Sequence, residues 1–182
     1  MDNIANQATL LYNNMTTNSN TVTTQILSLY DLTATKEALL DTYTPNQTIT
    51  YVTRVENTGS ASLYNLTVVD DLAKGLTQYV DNSVEGYLNG TPIEVNVQIT
   101  NNTVIFTIDN VINPNDNVLI IFETTTPTTR PDVLTNTQTI TANGGSTTGP
   151  IVAVTPNPSA TVTLANYVSL DITKSANKAS IY

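Results

Sequence analysis

The sequence predicts an all-β fold, an antiparallel β-sandwich, and three observations carry that prediction. Short stretches alternate apolar and polar residues, the period of a half-buried strand. The clearest is Gln47 to Leu76, QTITYVTRVENTGSASLYNLTVVDDLAKGL, where Ile49, Tyr51 and Val55 fall on one face and Thr48, Thr50, Arg54 and Glu56 on the other. Turn residues punctuate these stretches: Asn57-Thr58-Gly59 breaks the first strand, and Asn89-Gly90 is a two-residue hairpin signal. No segment carries a helical period of any length.

In chain order, residues 5–13 (ANQATLLYN) and 21–29 (TVTTQILSL) read as two strands joined by a polar Asn/Thr/Ser loop. Tyr30 to Glu37 is a third strand, with Leu32, Ala34 and Lys36 on one face, and Ala38 to Pro45 is a connection. The two strands of the central stretch follow, the second from Leu63 to Val69. Thr77 to Val80 and Val84 to Leu88 are short strands, and Asn89-Gly90 leads into one strand from Thr91 to Thr100. After the Asn101-Asn102 turn, Val104, Phe106 and Ile108 alternate inward. Val118 to Glu123 is a nearly continuous apolar run, the pattern of a central strand. Leu134 to Ala142 is a strand, Asn143 to Ser146 a flexible loop, and Ala160 to Leu164 a further strand.

The ends repeat each other. Ile4-Ala5-Asn6-Gln7-Ala8-Thr9-Leu10 aligns with Leu134 to Ile140, and Leu32-Thr33-Ala34-Thr35-Lys36 aligns with Leu170-Asp171-Ile172-Thr173-Lys174. An insertion in the Gly/Pro-rich loop region reconciles the two offsets. The expectation is a register cut from a tandem array. On it, 1–30 are closing strands of a preceding repeat, 31–167 a complete repeat, and 168–182 the first strand of a following one.

Composition narrows the function classes. The 182 residues carry a net charge of −9 with only six Lys and Arg, so the basic clusters that neutralise nucleic acid or anionic lipid are missing. Cys and His are absent, which removes disulfides, Cys/His metal sites and His-based triads. No apolar run approaches the roughly 20 residues of a membrane span, and the first residues show no signal-peptide pattern. No nucleophile–base pair or phosphate-binding glycine loop is visible, so an enzyme is not expected. Five Asn-x-Thr sequons, at Asn14, Asn46, Asn65, Asn89 and Asn101, are what chance gives in so Thr/Asn-rich a chain.

Ile49, Tyr51, Val55, Asn57, Gly59, Asn65, Leu66, Val68, Asp70, Leu72, Gly75 and Leu76 together resemble the conserved repeat module of bacterial surface proteins, domain of unknown function eleven. Asn46 stands where that pattern has Gly, and Ala73 where it has Pro; both are loop changes. The resemblance covers about residues 32–140. It implies an Ig-like sandwich repeated in tandem, with extra terminal strands belonging to neighbouring repeats, and it implies no activity.

Strand parity picks out one constellation. Lys36 shares a face with Leu32 and Ala34, Asp70 with Leu66 and Val68, and Asn136 with Leu134 and Ile140. Polar groups on three apolar faces are costly unless they meet. Burial favours a neutral amine and a protonated acid. A neutral Lys36 could then attack the Asn136 amide with Asp70 as the acid–base group, giving an autocatalytic isopeptide bond and ammonia. The arrangement resembles collagen-adhesin-type domains of Gram-positive surface proteins. Glu123, on the face of Leu119 and Ile121, is a spare acid. The competing reading leaves the Lys36 ammonium in solvent at a sheet margin, Asn136 capping a turn, and Asp70 ordering the loop to Gly75. A calcium site from Asp70, Asp71, Asp109, Asn113, Asp116 and Asn117 is a weaker option, because the spacing matches no EF-hand.

The expected function is therefore structural: a module of a bacterial cell-surface or spore-surface stalk or fibre, outside the cell. Its partners would be neighbouring copies or repeats, joined by strand addition. Asn6 and Lys174, at Asn136-like and Lys36-like positions, are the candidate links between domains. The alternative is an adhesin for a host or matrix ligand, which needs an exposed aromatic or apolar platform.

Overall fold

The computed structural model describes residues 3–25, 29–165 and Thr173. Among them every regular element is a strand, and no helix is long and apolar enough to cross a membrane. Most of the strands build two facing sheets. The first has the order β11 (Thr91–Ile93), β10 (Glu85–Leu88), β14 (Asn117–Thr125), β7 (Thr48–Glu56), β5 (Thr33–Ala38), with β9 (Gln78–Tyr79) beside β14. The second runs β12 (Asn96–Thr100), β13 (Thr103–Ile108), β8 (Leu63–Asp71), β15 (Val133–Gly144), β17 (Ser159–Leu164), β6 (Thr42–Tyr43), with β16 (Ile151–Ala153) beside β15. Among the described residues all strand pairings are antiparallel except β17 with β6.

The inward faces are those the alternation predicts. Ile49, Tyr51 and Val55 of β7 meet Leu66 and Val68 of β8 in one core, with Val104, Phe106 and Ile108 of β13. Phe122 from the first sheet stacks on Tyr51, ring centroids 5.7 Å apart, and lies 5.0 Å from Phe106 of the second. Each such fully buried side chain contributes about 1.5–3 kcal/mol. The Val118 run is central as expected, paired to β7 on one side and β10 on the other.

Asparagine makes the corners. Positive φ occurs at Asn13, Asn14, Asn46, Asn65, Asn82, Asn89, Asn101, Asn102 and Asn115, the left-handed region that Asn enters more cheaply than other side-chain-bearing residues. Asn89-Gly90 closes β10–β11 as predicted, and Asn13-Asn14 and Asn101-Asn102 close hairpins in the same way. Four of the five sequon asparagines are turn residues of this kind, and the fifth, Asn65, has its positive φ inside β8, where the pairing with β15 shifts register, so their abundance has a conformational cause. Asn57 ends β7 differently. Its buried amide donates to Ala61 O and Ile112 O, each at 2.9 Å, and its Oδ1 accepts from Gly59 N at 3.0 Å.

Four expectations change. The stretch from Thr91 to Thr100 is two strands in different sheets: β11 pairs with β10 and β12 with β13, so the chain crosses the sandwich at Glu94-Val95. The connection from Ala38 to Pro45 contains β6, and β16 follows the Gly-rich loop; both are too short to show a period. Glu123 lies on the outer, half-buried face of β14, because the core side is Val118, Ile120, Phe122 and Thr124. Residues 3–25 form a hairpin of four short strands, not two strands and a polar loop: β1 (Asn3–Asn6) pairs with β4 (Val22–Gln25), and β2 (Thr9–Tyr12) with β3 (Met15–Asn18); residues 26–28 of the expected second strand lie outside the described residues. This hairpin pairs only with itself among the described residues.

Candidate functional site

Lys36, Asp70 and Asn136 meet in the core, as strand parity requires. Lys36 comes from β5 at the edge of the first sheet, Asp70 and Asn136 from adjacent strands β8 and β15 of the second. Leu32 continues the same apolar face as Lys36, which draws the lysine inward. The Lys36 Nζ donates to Asp70 Oδ2 at 2.7 Å, and both side chains are completely buried. The ammonium lies 4.8 Å from the Tyr51 ring centre and 5.2 Å from that of Phe122, so aromatic faces replace water around it.

Asp70 Oδ2 is a hub. It also accepts from Asn136 Nδ2 at 3.3 Å and from Gln138 Nε2 at 2.9 Å. Gln138 Oε1 in turn accepts from the Thr53 hydroxyl of β7 at 2.7 Å. Two acceptors in the cluster have no partner among the described residues, Asp70 Oδ1 and Asn136 Oδ1. Unpartnered buried acceptors are unfavourable. A proton on Asp70 turns one of them into a donor, and a half-turn of the Asn136 amide exchanges its oxygen with the nitrogen now facing Asp70.

Burial drives the electrostatics. It lowers the Lys36 pKa to about 8, against the attraction and hydrogen bond of Asp70, which act the other way. The Tyr51 hydroxyl is pushed up to about 12, first by burial and then by the Asp70 charge. The Asn136 amide lies near enough to oppose that rise, though the hydroxyl makes no hydrogen bond of normal geometry among the described residues. A buried ion pair of this kind is on general grounds no better for stability than apolar residues of the same shape. What the cluster does offer is chemistry: an amine with a lowered pKa, a carboxyl group in contact with it, and an amide on that same carboxyl group.

The buried Lys36 side chain overturns the reading of a lysine snorkelling at a sheet margin. The loop-ordering role suggested for Asp70 belongs to its neighbour, since Asp71 Oδ1 accepts from Lys74 N at 3.3 Å. Gln138 and Thr53 were missed. The signal for Gln138 was present, because it stands two residues beyond Asn136 on the same face. Asn6 is exposed on β1, and Lys174 lies outside the described residues. For the calcium option, the described residues hold no group of three or more His, Cys, Asp or Glu arranged around a metal site. Asp116 instead bonds Asn89 Nδ2 at 2.7 Å and Asn113 N at 2.8 Å.

Neither a family model nor a curated protein sequence matches the chain. Solved structures do. The major pilin subunit BcpA of Bacillus cereus is 12% identical with a TM-score of 0.54, over 87% of this chain and 47% of that one. Domains D2 and D3 of the major pilin SpaD of Corynebacterium diphtheriae are 16% identical with a TM-score of 0.56, over 70% of this chain and 51% of that one. The collagen-binding subdomain of the Enterococcus faecalis surface protein ACE is 9% identical with a TM-score of 0.50, over 71% and 95%. This chain spans about half the length of the two pilin chains it matches. At these identities the likeness defines the fold, a β-sandwich of the kind found in Gram-positive pilins and surface proteins.

Proposed function

We propose that this chain is a load-carrying structural module of a bacterial surface fibre, closed by an amide bond between Lys36 and Asn136. The buried Lys36–Asp70–Asn136 cluster, which spans both sheets, carries this reading. In the reaction the neutral Lys36 amine attacks Asn136 Cγ while protonated Asp70 hydrogen-bonds the amide oxygen. The new C–N bond forms as the C–Nδ2 bond breaks. One lysine proton passes through Asp70 to the departing nitrogen, which leaves as ammonia. No oxidant, reductant or metal is needed.

Topology explains what the bond would do. Tension entering near residue 32 and leaving near residue 165 would pass from β5 through the cross-link into β15, bypassing residues 37–135. The bond also closes a loop of about 100 residues, which by chain-entropy reasoning stabilises the fold by about 4–5 kcal/mol. The pilin neighbours support the fibre class, with a place outside the cell and partners that are copies or repeats of the same module. The likeness between the two ends of the sequence supports boundaries of 1–30, 31–167 and 168–182, the last of which lies, but for Thr173, outside the described residues.

Intact mass tests the chemistry. The purified chain is expected to weigh one ammonia less than its sequence, and Lys36→Ala, Asn136→Ala and Asp70→Ala variants to weigh their full sequence mass. A wild-type mass equal to the sequence would refute the cross-link.

A further inference from the structure

The N-terminal hairpin is built in the register of the sandwich's own closing strands. β1 pairs with β4 through Asn3↔Gln25, Ile4↔Thr24, Ala5↔Thr23 and Asn6↔Val22. β15 pairs with β17 through Val133↔Thr163, Leu134↔Val162, Thr135↔Thr161 and Asn136↔Ala160. The residues that align by sequence, Ile4 with Leu134 and Asn6 with Asn136, occupy matching rungs of the two ladders. The match continues to the tip. Leu11↔Thr16 and Tyr12↔Met15 of β2–β3 correspond to Thr141↔Ala153 and Ala142↔Val152 of β15–β16, with one residue fewer between the two tiers on the hairpin's return strand. The long loop between Asn143 and Ile151 is replaced by the two-residue Asn13-Asn14 turn. Register is set separately in each hairpin, by turn geometry and by which face is buried, so coincidence at both tiers is informative.

The two copies differ in what covers them. In the sandwich the inward face of β15, with Leu134, Asn136 and Ile140, is buried against the opposite sheet, and β8 pairs along its edge. In the hairpin the matching face is bare. Ile4 is 60% exposed, Leu10 63%, Tyr12 69%, Met15 71% and Val22 60%, and Asn6 lies among them, also exposed. An isolated two-stranded hairpin is marginal in water, and an apolar face on it marks an interface.

We infer that residues 3–25 are the closing hairpin of a second sandwich of this same kind, docking on a unit that supplies the equivalents of β5, β7, β8, β13 and β14. The occupant is defined by continuity with an interface already in the molecule: an edge like β8 takes β1–β2 as β8 takes β15. That unit would bring its own buried Lys–Asp pair, and Asn6 would meet it where Asn136 meets Lys36 and Asp70. Docking rests on the fold alone. Covalent closure through Asn6 rests in addition on the chemistry proposed above.

The test adds a copy of residues 31–130 directly ahead of Met1 of the full chain, the junction that the β1–β15 alignment dictates. The added copy is expected to fold on the hairpin as a second protease-resistant sandwich, dependent on Leu10. The mass is expected to fall by a second ammonia, lost only with Asn6. A folded second sandwich without the second ammonia would keep the docking and remove the covalent closure. An added copy that stays unfolded, or that folds equally well with Leu10→Asp, would overturn the inference. So would a dimer of the unextended chain that Leu10→Asp abolishes, since the hairpin would then be pairing between copies.

Discussion

If Lys36 is held in the core against its charge, a chain that cannot form the cross-link must gain stability as pH rises. Asn136→Ala provides that chain, keeping the Lys36–Asp70 pair and removing the amide under attack. Lys36 has a folded pKa near 8 and an unfolded one near 10.4. Between these values the unfolded chain binds more protons than the folded one, so stability increases with pH across that window. From pH 7 to pH 10 this lysine contributes a gain of about 2–3 kcal/mol. Tyr51 acts in the opposite sense. Its folded pKa of about 12 exceeds the ordinary value, so the unfolded chain loses its proton first and stability falls as pH passes through about 10 to 12. At pH 10 the tyrosine loss is still small, leaving a net gain of about 2 kcal/mol and a maximum near that pH. Urea midpoints of Asn136→Ala at pH 7, 8.5 and 10 measure it. Wild type is expected to lack the rise, because an amide nitrogen does not titrate, and Lys36→Met is expected to lack it for want of the amine. A flat or falling profile for Asn136→Ala, matched by Lys36→Met, would refute the reasoning.

Gln138→Met removes one donor to Asp70 and leaves the Thr53 hydroxyl without its partner; it is expected to cost about 1–3 kcal/mol by urea denaturation while keeping the ammonia loss, which assigns the amide to Asn136. Asn57→Ala takes away three hydrogen bonds, two of them buried and one half-buried, and leaves Ile112 O without the side-chain donor, so about 2–4 kcal/mol should be lost in the same assay with the cross-link intact. At Asn101, whose φ is +50°, Val is expected to destabilise by about 1–2 kcal/mol and Gly to leave the thermal midpoint nearly unchanged. Phe122→Ala, which opens the ring contacts to Tyr51 and Phe106 and uncovers the end of the Lys36 side chain, should cost about 3–5 kcal/mol in calorimetry.

Much of this protein is local and therefore legible in its sequence. Side chains alternate across a strand, so the inward direction of Lys36, Asp70 and Asn136 followed from their apolar neighbours, and turn positions followed from Asn and Gly. The repeat between Ile4–Leu10 and Leu134–Ile140 was likewise visible as text. Tertiary structure decided which strand pairs with which, because pairing joins residues distant in the chain and leaves no periodic mark. That is why Thr91 to Thr100 could not be divided between sheets, and why the parallel pairing of β6 with β17 was invisible. On β14 both faces are apolar, so alternation alone could not say that Phe122 points inward and Glu123 outward. Parity brought Lys36, Asp70 and Asn136 to the core, but only the packing of two sheets placed three donors on one carboxylate oxygen and left two acceptors bare.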